Sequence, residues 1–253
     1  MRIIAEHPDR ERPELLVHPE WRERHFWLVQ GMSHGRDDRS DHGVFTDASN
    51  GQRLVRWQEL GERLGGVGVV GARQVHGSAV RVHGPGGPGV RIAPDCDGHV
   101  TRSPGQVVAV VTADCVPLTL IAARVRGVAM LHVGWRGAAA GIGEAGLATL
   151  RDRFGVRPDE IEAHLGPAIC GACYEVGPEV HAALAEPGAP VPSGPQPIDL
   201  RARVAERLIR AGVPRERVSV SAHCTRCGES VRLYSHRRGD LGRQVSFAGV
   251  RGP

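Results

Sequence analysis

The chain has 253 residues, 41% of them hydrophobic, enough for one large domain or two small ones, and a single domain spanning 1–253 is expected. All 32 of its basic residues are Arg, since no Lys occurs; lysine Schiff bases, phosphate-loop lysines and lysine general bases are excluded, and an anionic substrate has to be held by Arg, backbone amides or a metal. A formal charge of +4, with Arg scattered among 28 acidic residues and only 4 Phe, 4 Trp and 2 Tyr for stacking, argues against nucleic-acid binding.

No apolar run approaches the roughly 18 residues of a membrane-spanning helix, so no membrane role is expected. Met1 to Arg12 carries charges of both signs and no apolar segment, which reads as a cytoplasmic chain without a secretory signal. Residues 1–65 are rich in Arg, Asp and His, and Ser33 to Gly43 lacks any hydrophobic period and reads as a loop. Gly68 to Gly71 and Ser78 to Val82 read as short strands, followed by the Gly/Pro turn of Gly84 to Gly89. Gln106 to Thr112 and Gly127 to Val133 are β-branched runs suited to strands buried on both faces. A helix is expected from about Ala138 to Phe154, where Ile142, Leu147, Leu150 and Phe154 share one face. Ala185 to Pro197, with five Pro, reads as a surface loop. A second helix is capped by Asp199, carries Leu200, Val204, Leu208 and Ala211 on one stripe, and closes at Gly212. Val218 to Val220 and Val231 to Tyr234 are late strand candidates. Strands and helices mix without a strict βαβ rhythm, so the expected class is α/β, or α+β, with a mixed central sheet flanked by helices.

Three segments place metal-competent residues at the ends of apolar strands: Gln74 to Gly77, Thr112 to Leu118 and His132 to Gly137. Singly, His76 reads as a turn histidine, Cys115 as a small buried hydrophobe and His132 as a core imidazole. Together, two imidazoles and a thiolate make a three-ligand set that leaves the fourth position of tetrahedral Zn²⁺ open. Soft sulfur with imidazole suits Zn²⁺ or Cu(I), and zinc, one per chain, fits a reducing compartment better than copper. Asp97 and Asp114 could orient a ligand imidazole, act as acid or base, or cap turns. Arg136, in a Gly-Trp-Arg-Gly turn next to His132, is placed for an oxyanion or phosphate, or for a surface ion pair.

These segments carry a resemblance. Gln74 to Gly77, Ala113 to Leu118, His132 to Gly137, Gly166 to Ile169 with Tyr174 to Val176, Cys224 to Cys227, and Ser235 to Arg238 with Gly242-Arg243 resemble, in order, the motifs of the laccase-domain proteins once described as polyphenol oxidases and now as zinc-dependent purine nucleoside phosphorylases. The resemblance implies a metal on His76, Cys115 and His132. It also implies phosphorolysis of adenosine, inosine and 5′-methylthioadenosine, with adenosine deamination as a further activity. Purine nucleosides and phosphate are then the small-molecule partners, and the chain is a monomer or homodimer. With lysine absent, Arg136 and one of Arg237 or Arg238 are expected to hold the phosphate. The N-terminal part, 1–65, diverges: the family's Thr-x-Arg-x-Gly-Gly segment stands here as Met32-Ser33-His34-Gly35-Arg36.

Rival readings remain. Two Cys-x-x-Cys pairs, Cys170/Cys173 and Cys224/Cys227, could make the chain a non-catalytic zinc module, although fifty residues separate them against the ~15–20 of compact zinc ribbons. Multicopper oxidation would need further His ligands for a coupled cluster, and the 13 His show no His-x-His pairing. Hydrolytic editing of peptidoglycan precursors would use the same metal site as purine chemistry.

Overall fold

In the computed structural model, which describes residues 1–35, 51–186 and 188–252, the β-branched runs become the long strands of two seven-stranded sheets. One sheet runs in the order Arg2–Ile4, Val218–Ser221, Glu162–Leu165, Val116–Ala122, Gly127–Val133, Gly98–Thr101 and Val80–His83. The other runs His7–Pro8, Leu15–Val17, Leu28–Ser33, Gln244–Val250, Gln106–Thr112, Gly68–Ala72 and Gly89–Ala93. Each mixes parallel and antiparallel pairs: Val116–Ala122 lies antiparallel to Gly127–Val133 with Pro117 opposite His132, and Gly68–Ala72 parallel to Gln106–Thr112. The α/β class with mixed sheets is therefore as the sequence indicates, with two such sheets where one was expected.

Side-chain alternation explains the second sheet. Along Val116–Ala122 and Gly127–Val133, the residues Leu118, Leu120, Ala129 and Leu131 join a core with the helices Ile142–Phe154 and Leu200–Arg210. The intervening Ile121, Val128 and Met130 meet Val108, Val110, Ala248 and Val250 of the opposite sheet. That sheet turns Val107, Ala109, Val245 and Phe247 outward, onto Trp57 and Leu60 of the helix Gly51–Arg63. A strand apolar on both faces needs two partners, and here one is a helix layer and the other a sheet.

The helix expected from Ala138 to Phe154 is two helices, Trp135–Ala139 and Ile142–Phe154. Gly141 breaks it by taking φ 81°, a left-handed value open to glycine at little cost. The second helix follows its sequence: Asp199 accepts from Ala202 N–H at 3.1 Å, the helical residues are Leu200–Arg210, and Gly212 closes it at φ 102°. Val231 to Tyr234 is not a strand. The Gln244 side chain supplies what a neighbouring strand would, its Oε1 accepting from Tyr234 N–H at 2.8 Å and its Nε2 donating to the Tyr234 carbonyl at 3.1 Å. Residues 36–43 of the expected Ser33–Gly43 loop, Arg36 included, lie outside the described residues. Among the described residues no helix is long and apolar enough to cross a membrane.

One polar network is buried beside the inter-sheet core. Glu6 accepts from His164 Nε2 and from Ser221 Oγ, both at 2.7 Å, and His164 Nδ1 meets Ser219 Oγ at 2.9 Å. Glu6→Ala strands two buried groups at once and should cost about 3 kcal/mol. For a chain of this size that is a fall of ~6–12 °C in a thermal melt. An unchanged melt would show that the network is neutral to stability.

Candidate functional site

Two of the corners at which the chain passes from one sheet to the other carry candidate site residues. Between Gln106–Thr112 and Val116–Ala122 only Ala113, Asp114 and Cys115 make the crossing, with Asp114 at φ 85°. Between Gly68–Ala72 and Val80–His83 the corner is His76, at φ 60°. A non-glycine residue in the left-handed region costs on the order of 1–3 kcal/mol and persists only where its surroundings impose it.

At His76 the imposing group is Asp97. Its fully buried carboxylate accepts from three successive amides, Val75 N–H at 3.1 Å, His76 N–H at 2.9 Å and Gly77 N–H at 2.8 Å, a backbone nest closed on one anion. The same carboxylate accepts from His132 Nδ1 at 2.8 Å, so it is His132 Nε2 that faces outward. Gln74 fixes the loop from its other side, exchanging two 2.8 Å hydrogen bonds with the backbone of Val111.

Asp114 does for the second corner what Asp97 does for the first. It accepts from Thr225 Oγ1 and from Arg237 N–H, both at 2.6 Å, and so ties the Cys115 corner to the Cys-Thr-x-Cys and Ser-x-Arg-Arg segments. Between Gly127–Val133 and the helix Trp135–Ala139 the joint is glycine for lack of room: a Cβ on Gly134 would lie 2.9 Å from His76 Cδ2 and 3.3 Å from Cys115 Sγ.

The outcome is a convergent donor set. One nitrogen each of His76 and His132 and the sulfur of Cys115 lie within 4.8 Å of one another, and the two imidazoles meet edge to face at 4.7 Å. His132 is buried, Cys115 half-buried and His76 exposed, so the set opens to solvent at His76. Burial opposes charge on Cys115, but the His132 imidazolium outweighs it and pulls the thiol down to about 6. Burial likewise works against His132, and the Cys115 thiolate with Asp97 lifts it to about 9. Two imidazoles and an easily ionised thiol, one imidazole aimed by a carboxylate, suit a soft divalent ion with an open coordination position.

Around this set stand groups of the opposite sign. Arg136 lies over the Trp135 indole, 4.2 Å from the ring centroid, and Arg237 over the Tyr174 ring at 5.3 Å. Neither has a carboxylate partner among the described residues. Both are close enough for their charge to act on the Tyr174 phenol, which burial and then the Cys115 thiolate nevertheless push up to about 12. Tyr174 thus keeps its proton and remains a donor. The motifs read on sequence include Tyr174 to Val176 but give Tyr174 no role; the Cys115 thiolate acting on its phenol is what marks it as a candidate.

Arg238, grouped with Arg237 on sequence, is placed otherwise. Its Nη1 donates to the carbonyls of Thr225 and Arg226 and its Nη2 to the Leu233 carbonyl and the Asp240 carboxylate, so both terminal nitrogens are committed to holding loops together. Arg136 and Arg237 thus share with the Cys115 thiolate an influence on Tyr174, Arg237 while donating from Nη1 to the Glu175 carbonyl at 2.8 Å, whereas Arg238 is turned to the loops. Asp97 and Asp114 are likewise filled by protein donors on both carboxylate oxygens.

The four cysteines of the two Cys-x-x-Cys pairs form a second convergent group, also within 4.8 Å of one another. These two groups are the clusters of three or more such ligands that come together among the described residues.

Comparison with known proteins agrees with this architecture. Residues 31–251 match the family described as multi-copper polyphenol oxidoreductase laccase. The purine nucleoside phosphorylase YlmD of Geobacillus stearothermophilus is 34% identical over 235 residues, covering 86% of this chain and 82% of that one. Its crystal structure superposes with a TM-score of 0.82 at 27% identity, over 98% of this chain and all of that one. A purine nucleoside phosphorylase of Streptomyces coelicolor is 42% identical over 227 residues, 78% of this chain and 90% of its own. The adenosine deaminase RL5, from an unknown prokaryotic organism, is 39% identical over 162 residues, 61% of each chain.

Proposed function

We propose that this chain, which belongs to the family described as multi-copper polyphenol oxidoreductase laccase, is a zinc-dependent purine nucleoside phosphorylase acting on adenosine, inosine and 5′-methylthioadenosine. The observation that carries the reading is the convergence of His76, Cys115 and His132, with the Cys115 thiolate acting on the same Tyr174 phenol as the carboxylate-free guanidinium groups of Arg136 and Arg237. His76, Cys115 and His132 would hold a zinc ion, which supplies a Lewis acid at the open position.

Phosphorolysis joins a phosphate oxygen to the ribose anomeric carbon as the bond to the purine nitrogen breaks; the electron pair leaves with the purine, which takes up a proton. Arg136 and Arg237 bind and aim the phosphate, with the indole under Arg136 fixing its guanidinium plane. The protonated Tyr174 phenol donates a hydrogen bond to the same anion or to the ribose. Asp97 holds His132 and the His76 loop in place, and Asp114 holds the Cys115 corner; both are positioning residues in this reading, as is Arg238.

Arg136→Gln should raise the phosphate KM about tenfold or more, the loss of one charge-assisted contact of ~1.5–3 kcal/mol, with a melt close to the parent's. Arg238→Gln should show the opposite pattern, a lowered melt with the phosphate KM little changed. An unmoved phosphate dependence in the first variant would assign Arg136 to structure.

The likeness to RL5 favours adenosine deamination as a second activity of the same donor set. Incubating metal-replete protein with adenosine, inosine and methylthioadenosine, with and without phosphate, separates the readings. Ribose 1-phosphate and free base formed only with phosphate supports phosphorolysis, inosine formed from adenosine without phosphate supports deamination, and neither product rejects both. The coupled copper cluster of a laccase is the weaker reading, because the donor sets assembled among the described residues are one His–Cys–His triplet and one group of four cysteines.

A further inference from the structure

Fifty residues lie between Cys173 and Cys224, yet the fold closes the gap. Glu162–Leu165 and Val218–Ser221 pair in parallel, so both strands deliver their following loops to the same end of the sheet. A bridge between Ala168 and Cys224 carries the pairing on to the cysteines, with Thr225 N–H donating to the Ala168 carbonyl at 3.2 Å. All four sulfurs fall within 4.8 Å of one another, and Cys170 Sγ and Cys227 Sγ are 3.9 Å apart. A tetrahedron with metal–sulfur bonds of about 2.3 Å sets its sulfurs ~3.8 Å apart, whereas a disulfide requires about 2.05 Å.

Each pair sits on a tight turn. Cys173 N–H donates to the Cys170 carbonyl at 3.0 Å, and Gly228 N–H to the Cys224 carbonyl at 3.0 Å. A Cβ on Gly228 would lie 2.4 Å from that carbonyl oxygen, so the second turn closes only without a side chain. Two amides aim at one sulfur: Cys170 N–H and Cys227 N–H donate to Cys224 Sγ at 3.3 and 3.5 Å. Amides directed at sulfur favour the thiolate, the form that binds metal. Arg226 donates to the Cys173 carbonyl at 3.4 Å and sets a positive charge beside what four thiolates and one divalent ion would make doubly negative.

We propose that Cys170, Cys173, Cys224 and Cys227 bind a second ion, a structural Zn²⁺ held by four thiolates and separate from the His76–Cys115–His132 set. Four thiolates leave no open position, as in structural rather than catalytic zinc sites. The ion fastens two loops that serve the first site. Tyr174 follows Cys173 directly, and Thr225, between Cys224 and Cys227, donates to the Asp114 carboxylate next to Cys115.

The test is metal content and stability, independent of turnover. Elemental analysis of purified protein should find two zinc per chain. His132→Ala should keep one, and cobalt exchanged into that variant should show the thiolate-to-metal charge-transfer bands of a tetrahedral sulfur site. Cys227 is exposed and Cys170 half-buried, so Cys170→Ser with Cys227→Ser removes little packing. Without a metal such a change is nearly silent, whereas loss of a structural zinc should lower the melt by ~10 °C or more. Should the double variant fail to fold, the parent protein still decides: titrating its thiols with an organomercurial should release the second zinc in step with four cysteines. One zinc per chain that disappears in His132→Ala, or a disulfide between these cysteines, would overturn the proposal. Iron in place of zinc would overturn the choice of ion.

Discussion

Cys115→Ser should lower turnover a hundredfold or more, a barrier rise of ~2.7 kcal/mol or above, while melting within a few degrees of the parent. Serine keeps the size of the side chain but offers no thiolate at neutral pH, so the His76–Cys115–His132 set loses its soft anionic ligand. The corner itself does not depend on sulfur. It is held by Asp114, through Thr225 Oγ1 and Arg237 N–H at 2.6 Å, and by Ile169 N–H donating to the Asp114 carbonyl at 3.1 Å. Val116 and Leu118 beyond it are packed in the core and are untouched by the change. Zinc content should fall by one per chain, leaving the ion proposed for the four cysteines in place. Zinc content, thermal melts and product formation measured together check this, and full activity in Cys115→Ser would remove the assigned site.

The donor set was legible in the sequence because each ligand ends a strongly apolar strand or follows one within a few residues. Gln106–Thr112 and Gly127–Val133 announce themselves by β-branched runs, and Cys115 and His132 are read off their ends. The second sheet was not legible. A run apolar on both faces reads the same whether a helix or another sheet covers its far side, so Ile121 and Met130 gave no sign that they meet Val110 and Ala248. Gln244–Val250 was missed for a related reason: its Ser, Gly and Ala residues dilute the apolar signal, though every one of its seven positions is buried. Partnerships across long sequence distances were hidden as well. Cys170 meeting Cys227, 57 residues away, follows from the parallel pairing of Glu162–Leu165 with Val218–Ser221, and Asp114 reaching Thr225, 111 away, needs the antiparallel pairing of Val116–Ala122 with Glu162–Leu165 as well, neither of which a local pattern reveals. Arg237 and Arg238 differ by one position, and only the backbone turn at Ser235–Gly239 decides which guanidinium turns inward to the loops and which lies over the Tyr174 ring.

Asp97→Asn should combine a loss of stability with a 10–100-fold loss of zinc affinity at the His76–Cys115–His132 set. The carboxylate serves four donors, the amides of Val75, His76 and Gly77 and the Nδ1–H of His132. An asparagine keeps one acceptor oxygen and turns an NH₂ group toward donors that need an acceptor. Either the His76 loop or the His132 ring must give up its partner inside a fully buried pocket, at about 2–4 kcal/mol. The pH dependence separates this from simple misfolding. Burial works to raise the Asp97 carboxyl, but His132 and the loop amides outweigh it and hold the group below the ordinary carboxylate range. A group whose folded pKa is depressed gives its full stabilisation above the unfolded value of about 3.9 and loses it as pH falls through the lower folded value. The parent therefore forfeits this contribution in acid, whereas the Asp97→Asn protein never has it. The stability gap between the two should be widest near neutral pH and close progressively below about pH 4. Denaturant titrations across that range, with zinc binding measured at pH 7, give both readouts. A gap that stays constant with pH, together with unchanged zinc affinity, would mean that Asp97 neither works as an anion in the fold nor holds His132 for the metal.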